Sequence, residues 1–115
     1  MFELDGKTAL VTGATRGIGE ASARALDAAG ARVILSGRTA SDLARVAGEL
    51  ANEPITLEAD LSPPGAGTQH AEQVLEATSG EGVDIIVNNA GIPMRRTPEE
   101  LSEEDFDLVF SINVR

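Results

Sequence analysis

Cysteine and tyrosine do not occur among the 115 residues, and Lys7 is the only lysine. Without cysteine the chain has no disulfide, no thiolate zinc site and no thiol nucleophile, an absence that suits a reducing cytosol. Basic residues are scarce: nine Lys and Arg face 19 Asp and Glu, for a net charge of -10 and a pI of about 4.4. A surface of that sign repels nucleic-acid phosphates and anionic membranes, although a few local donors can still hold a small phosphorylated molecule. No apolar run approaches the ~20 residues of a bilayer span. The opening, Met1 to Leu10, lacks the basic stretch and apolar core of a secretory leader. The expectation is a soluble, cytoplasmic chain with no nucleic-acid or membrane partner.

What is present reads as one α/β domain. Hydrophobic residues make up 42% and charged residues 24%, a globular balance, and the length suits a single core. Ala9-Leu10-Val11, Val33-Ile34-Leu35 and Ile85-Ile86-Val87 are continuous apolar runs, as in strands covered on both faces; Ile55 to Ala59 is a weaker one. Helical spacing runs between them: Ile18, Ala21, Ala25, Ala28 and Ala29 before Gly30, then Leu43, Val46, Ala47 and Leu50 before Pro54, then Ala71, Val74, Leu75 and Thr78 before Gly80. Ser62 to Gly67, with two prolines and two glycines, reads as a surface connection. A last helix is expected from Ser102, with Asp105 three residues on in the manner of a capping box. Strand and helix therefore alternate four times, which gives a doubly wound parallel sheet of about four strands.

Thr12-Gly13-Ala14-Thr15-Arg16-Gly17-Ile18-Gly19 lies between the first strand and the first helix. Glycines there let the backbone turn sharply and approach a pyrophosphate, and the helix amino end offers unpaired N–H groups and a positive dipole end. A purely structural tight turn is the alternative. A nucleoside-triphosphate loop is excluded, because no Gly-Lys-Ser/Thr follows.

The Thr-Gly-x-x-x-Gly-x-Gly spacing resembles the short-chain dehydrogenase/reductase family. So do Asp60-Leu61 after the third strand, Asn88-Asn89-Ala90-Gly91 after the fourth, and Asn113 within Ser111-Ile112-Asn113-Val114. The resemblance implies a Rossmann-like dinucleotide-binding half spanning residues 1–115. It implies that Gly13, Thr15, Arg16, Gly17, Ile18, Gly19, Asp60, Leu61, Asn88, Ala90 and Gly91 line the cofactor, with Asp60 near the adenine. It also implies that Asn113 is the catalytic-tetrad asparagine, holding a water in a proton relay. Plainer roles stand beside these: Asp60 as a turn or cap residue, Asn88 and Asn89 as loop ties. Asn113 falls on an apolar helical stripe with Phe106, Val109 and Phe110, where a bond to a helix carbonyl would also satisfy it.

The end of the second strand bears on which nicotinamide cofactor is bound. An NAD site places an acid there for the ribose hydroxyls, whereas an arginine can meet the 2′-phosphate of NADP. Ser36-Gly37-Arg38-Thr39 offers no acid and one guanidinium, which matches a phosphate with two parallel bonds; Arg16 could add a second charge. NADP is expected over NAD, unless both arginines are merely solvated.

The resemblance further implies a carbonyl or alcohol substrate, with 3-oxoacyl carrier-protein reductases as an analogy, and a dimeric or tetrameric complete protein. The family's tyrosine, the lysine four residues after it and the substrate serine cannot be assigned here. Two readings stay open: the cofactor half of an NADP-dependent reductase, seen as a fragment with the fourth strand at an open sheet edge, or a non-catalytic dinucleotide-binding module. A methyltransferase on a similar sheet is weaker, because it too would want an acid after the second strand.

Overall fold

The computed structural model describes residues 3–60 and 64–89, and the backbone of 112–114. The elements are β1 (Thr8–Thr12), α1 (Gly17–Ala28), β2 (Arg32–Gly37), α2 (Ala40–Ala47), β3 (Ile55–Glu58), α3 (Ala66–Ala77), β4 (Ile85–Val87) and β5 (Ile112–Val114). The sheet order is β3-β2-β1-β4-β5. β1 pairs in parallel with β2, Thr8 opposite Arg32, and with β4, Ala9 opposite Ile85; β2 pairs in parallel with β3, Ile34 opposite Ile55. The chain winds outward in one direction from β1 to β3, then returns to β1's other side as β4. That reversal makes the carboxyl end of β1 a topological switch point, where a doubly wound sheet opens a crevice.

Strand alternation splits the core in two. Val11, Val33, Leu35 and Val87 pack on one side with Ala23 of α1 and with Leu43 and Val46 of α2, while Leu10 and Ile34 pack on the other with Val74 of α3 and Val83. With helices on both faces, neither set of alternating residues meets water, which is why these strands read as unbroken apolar runs.

Three details differ from the sequence expectation. In α1 the buried positions are Gly19 and Ala23, with Leu26 partly buried, while Ala21, Ala25 and Ala28 are exposed. Alanine is a weak guide to facing in a helix so rich in it, and here the sheet is approached by the face that carries a glycine. In α3 the buried residues are His70 and Val74, and Leu75 is exposed. The helix begins at Ala66, after Gly65 in the left-handed region (φ 82°), so part of the expected connection is helical.

The third difference concerns Asn113. Its backbone lies in β5, antiparallel to β4 and opposite Ile86, not in a helix. The outer edge of β4 carries a row of backbone donors and acceptors, and two β-branched residues around Asn113 suit a strand that satisfies them. β4 is therefore an inner strand of this sheet. The expected helix from Ser102, with Phe106, Val109 and Phe110, lies outside the described residues. No helix among the described residues is long and apolar enough to cross a membrane.

The polar contact that seats α3 is buried. Ser36 Oγ lies 2.7 Å from His70 Nε2, with both residues almost wholly enclosed. Burial pushes the His70 imidazole below its ordinary value of 6.5, because the cation would lose its hydration. The unfolded chain therefore takes up a proton near pH 6.5 that the folded protein resists, and stability should fall as pH drops through that value. Urea midpoints of the chain and of His70→Gln, measured from pH 7.5 to 5.5, should converge as the pH falls. A gap that is constant or widens would show that His70 protonates freely in place.

Candidate functional site

The carboxyl ends of β1, β2 and β4 converge beneath the amino end of α1. The tie between them is Thr12, the last residue of β1, which is almost fully buried. Its hydroxyl approaches Asn88 Oδ1 at 3.1 Å and the Val87 carbonyl at 3.5 Å, and accepts the Asn89 N–H at 2.8 Å. The Asn89 side-chain amide donates to the Gly13 carbonyl at 3.5 Å. The loop-tying expected of Asn88 and Asn89 is thus present. Ala14 N–H bonds the Ser36 carbonyl at 3.1 Å, and Ala59 N–H bonds the Gly37 carbonyl at 2.7 Å, so the exits of all four parallel strands are cross-linked.

The glycines of the turn divide their work. Gly13 (φ 59°) and Gly17 (φ 51°) adopt the left-handed region, which side-chain-bearing residues enter at a cost. Among the described residues, a β-carbon at Gly17 would meet nothing within 4 Å, so that side of the turn is open to them. At Gly19 the opposite holds: a β-carbon would sit 2.0 Å from the Gly13 carbonyl oxygen and 2.9 Å from Asn89 Nδ2. Gly19 therefore lets α1 close onto the strand ends, and Gly17 faces space that no described residue fills.

Among the described residues, no side chain satisfies the amino end of α1. Arg16 is the N-cap, extended at φ -144° and ψ 151°, and its side chain makes no capping hydrogen bond. The first helical bond is Glu20 N–H to the Arg16 carbonyl at 3.2 Å. The preceding N–H groups have no intrahelical acceptor and point outward with the positive end of the helix dipole.

Arg16 and Ile18 are exposed, Thr15 is half-buried, Arg38 is exposed just past β2, and Asp60 is exposed after β3. Leu61, Ala90 and Gly91 lie outside the described residues. Asn113 lies in β5, one pair from Val87. Among the described residues no cluster of His, Cys, Asp or Glu could hold a metal ion.

Sequence reasoning missed three contributors. Thr12 carried a readable signal, a hydroxyl at the last position of an apolar strand, where it has to find partners. His70 carried none, since its partner Ser36 lies 34 residues away. Arg45 also carried none: its guanidinium donates to the Thr15 carbonyl at 3.1 Å and to Glu20 Oε1 at 3.2 Å. Glu20 also binds Arg24, which pairs with Glu49 in turn. The Arg24 guanidinium, and after it Arg45, hold the Glu20 carboxyl below its ordinary 4.5.

The two glycines should respond differently to a methyl group. Gly19→Ala forces α1 off the Gly13 carbonyl and should cost about 1–3 kcal/mol, as overpacking does. Gly17→Ala, with open space but a left-handed φ, should cost only about 1–2 kcal/mol of backbone strain. Urea unfolding of both variants checks the order; a larger loss at Gly17 would contradict the packing role of Gly19.

Comparison with known proteins agrees with this geometry. Residues 7–115 match the short chain dehydrogenase family. Nodulation protein G of Rhizobium sp. (strain N33) is 45% identical over 99% of this chain and 46% of its own length. A metagenomic short-chain oxidoreductase solved in complex with NADP superposes with a TM-score of 0.70 at 36% identity, over 92% of this chain and 49% of that one. A 3-ketoacyl-(acyl-carrier-protein) reductase from Brucella melitensis, complexed with NADH, gives 0.68 at 36%, over 93% and 44%. The chain spans about half the length of the curated relatives it matches.

Proposed function

The chain belongs to the short chain dehydrogenase family, and from that premise we propose that residues 1–115 are the dinucleotide-binding part of an NADP-dependent oxidoreductase acting on a carbonyl or alcohol. The observation that carries this reading is the uncapped amino end of α1, open at Gly17, beside a β2 exit that bears Arg38 and no acid. A pyrophosphate fits the open side of Gly17, where backbone N–H groups and the helix dipole favour negative charge.

Each residue then has a stated task. Gly13 turns the chain, Gly17 leaves room for the phosphates, and Gly19 brings the helix end to the strands. Arg38 holds a 2′-phosphate by two parallel bonds, with Arg16 adding charge across the turn. Asp60 and Leu61 line the adenine side, and Asn88, Ala90 and Gly91 line the β4 exit. Thr15 and Ile18 flank the pyrophosphate. When bound, the nicotinamide ring gives or accepts the hydride. With Asn113 in β5, no proton-transfer step is assigned to it.

The chain contains no tyrosine, so the phenol that the family resemblance implies as proton donor is not among these residues. We therefore read the 115-residue chain as binding cofactor without turning over substrate. A non-catalytic dinucleotide module is the second reading, favoured by that same absence. For the whole protein we propose a cytoplasmic dimer or tetramer with a small carbonyl substrate; 3-oxoacyl thioesters are the first to try, on the analogy of the Brucella reductase.

NADPH should bind the chain at least ten-fold more tightly than NADH, about 1.4 kcal/mol, and Arg38→Asp should erase or reverse that preference. Fluorescence titration measures both. Equal or tighter binding of NADH by the unaltered chain would refute the assignment of Arg38. Steady turnover of ketones or 3-oxoacyl thioesters by the 115-residue chain would refute the division of labour.

A further inference from the structure

Arg45 stands on α2, outside every glycine-turn motif, yet it touches the turn at Thr15 and the start of α1 at Glu20. Its terminal nitrogen carries two N–H bonds; it reaches the Thr15 carbonyl at 3.1 Å and Glu20 Oε1 at 3.2 Å. The first contact fixes a peptide plane. The chain has no cis peptide among its described residues, and in a trans peptide the C=O and N–H point in opposite directions. Holding the Thr15 carbonyl toward α2 therefore turns the Arg16 N–H away from α2. That N–H lies immediately before the open, left-handed Gly17.

The second contact deals with a charge. Glu20 sits in the first turn of α1, where a carboxylate suits the helix dipole but repels an incoming phosphate. In this network Arg24 is shared between Glu20 and Glu49, so Arg24 alone cannot neutralise both acids. Arg45 supplies the fourth charge, and Glu20, Glu49, Arg24 and Arg45 together sum to zero.

We propose that Arg45 is a positioning residue for the dinucleotide, orienting the Thr15–Arg16 peptide and cancelling the Glu20 carboxylate beside the phosphate-facing end of α1. The inference rests on the dinucleotide-binding reading above. Because Arg45 is half exposed, its removal should cost little stability, as surface ion pairs do. Its effect should appear in affinity.

The test is NADPH titration of the full chain at low and high salt, with urea midpoints measured alongside. Arg45→Met should weaken binding about five- to ten-fold at low salt, with the midpoint nearly unchanged. Arg45→Lys keeps the charge and should recover most of the affinity. Glu20→Gln in the Arg45→Met background should recover part of it, and high salt should narrow the deficit by screening the uncovered carboxylate. In the apo protein, Arg45→Met should also shift the Arg16 amide resonance. Full affinity in Arg45→Met would overturn the proposal, as would a lowered urea midpoint with affinity intact, which marks a bracing role only. A deficit that neither salt nor Glu20→Gln relieves would overturn the charge-cancelling part. Failure of the unaltered chain to bind NADPH would refute the dinucleotide reading itself, and the proposal with it.

Discussion

The missing β-carbon of Gly19 sets how near α1 comes to β1, and the site depends on that distance. A helix held one methyl group further out would lose the Gly13 contact and the neighbourhood of Asn89. The row of free N–H groups would then no longer stand over the crevice between β2 and β4. The sheet supplies the matching constraint from below. Because β1 is hydrogen-bonded on both sides by parallel strands, its carboxyl end cannot slide, and the Thr12 hydroxyl locks that end to Asn88 and Asn89. Backbone geometry at a strand exit, more than any buried ionic group, organises this region.

Much of this was legible because it is local. Continuous apolar runs required strands with two covered faces, and the glycine spacing between strand and helix required a tight turn. Both rest on residues adjacent in the chain. The apolar stripe of Leu43, Val46, Ala47 and Leu50 was also legible, and these residues pack on one cluster, although α2 closes at Ala47 and Leu50 follows the helix. The stripe of α1 was misread because alanines lie all around that helix and carry little directional information.

The contacts that could not be read are those made across long separations. Ser36 and His70, and Arg45 and Thr15, meet only after the crossover helices have been laid on the sheet. Asn113 shows the same limit. Apolar periodicity in 106–113 suits a helix, but a β4 edge awaiting a partner is a tertiary fact, and Ile112, Asn113 and Val114 answer it as a strand.

The Ser36–His70 contact limits where the end of β2 could accept an acid. The usual device for selecting a ribose diol is an acid at the end of the second strand. At position 36 that acid would not face the crevice: the Ser36 side chain is enclosed against α3, so a carboxylate there would be desolvated and would turn His70 into its counter-ion. At position 37 a β-carbon would press on Leu43 Cδ2 at 3.2 Å. Position 38 alone of the three is exposed, so an acid introduced at this strand end has one tolerant residue at which to stand.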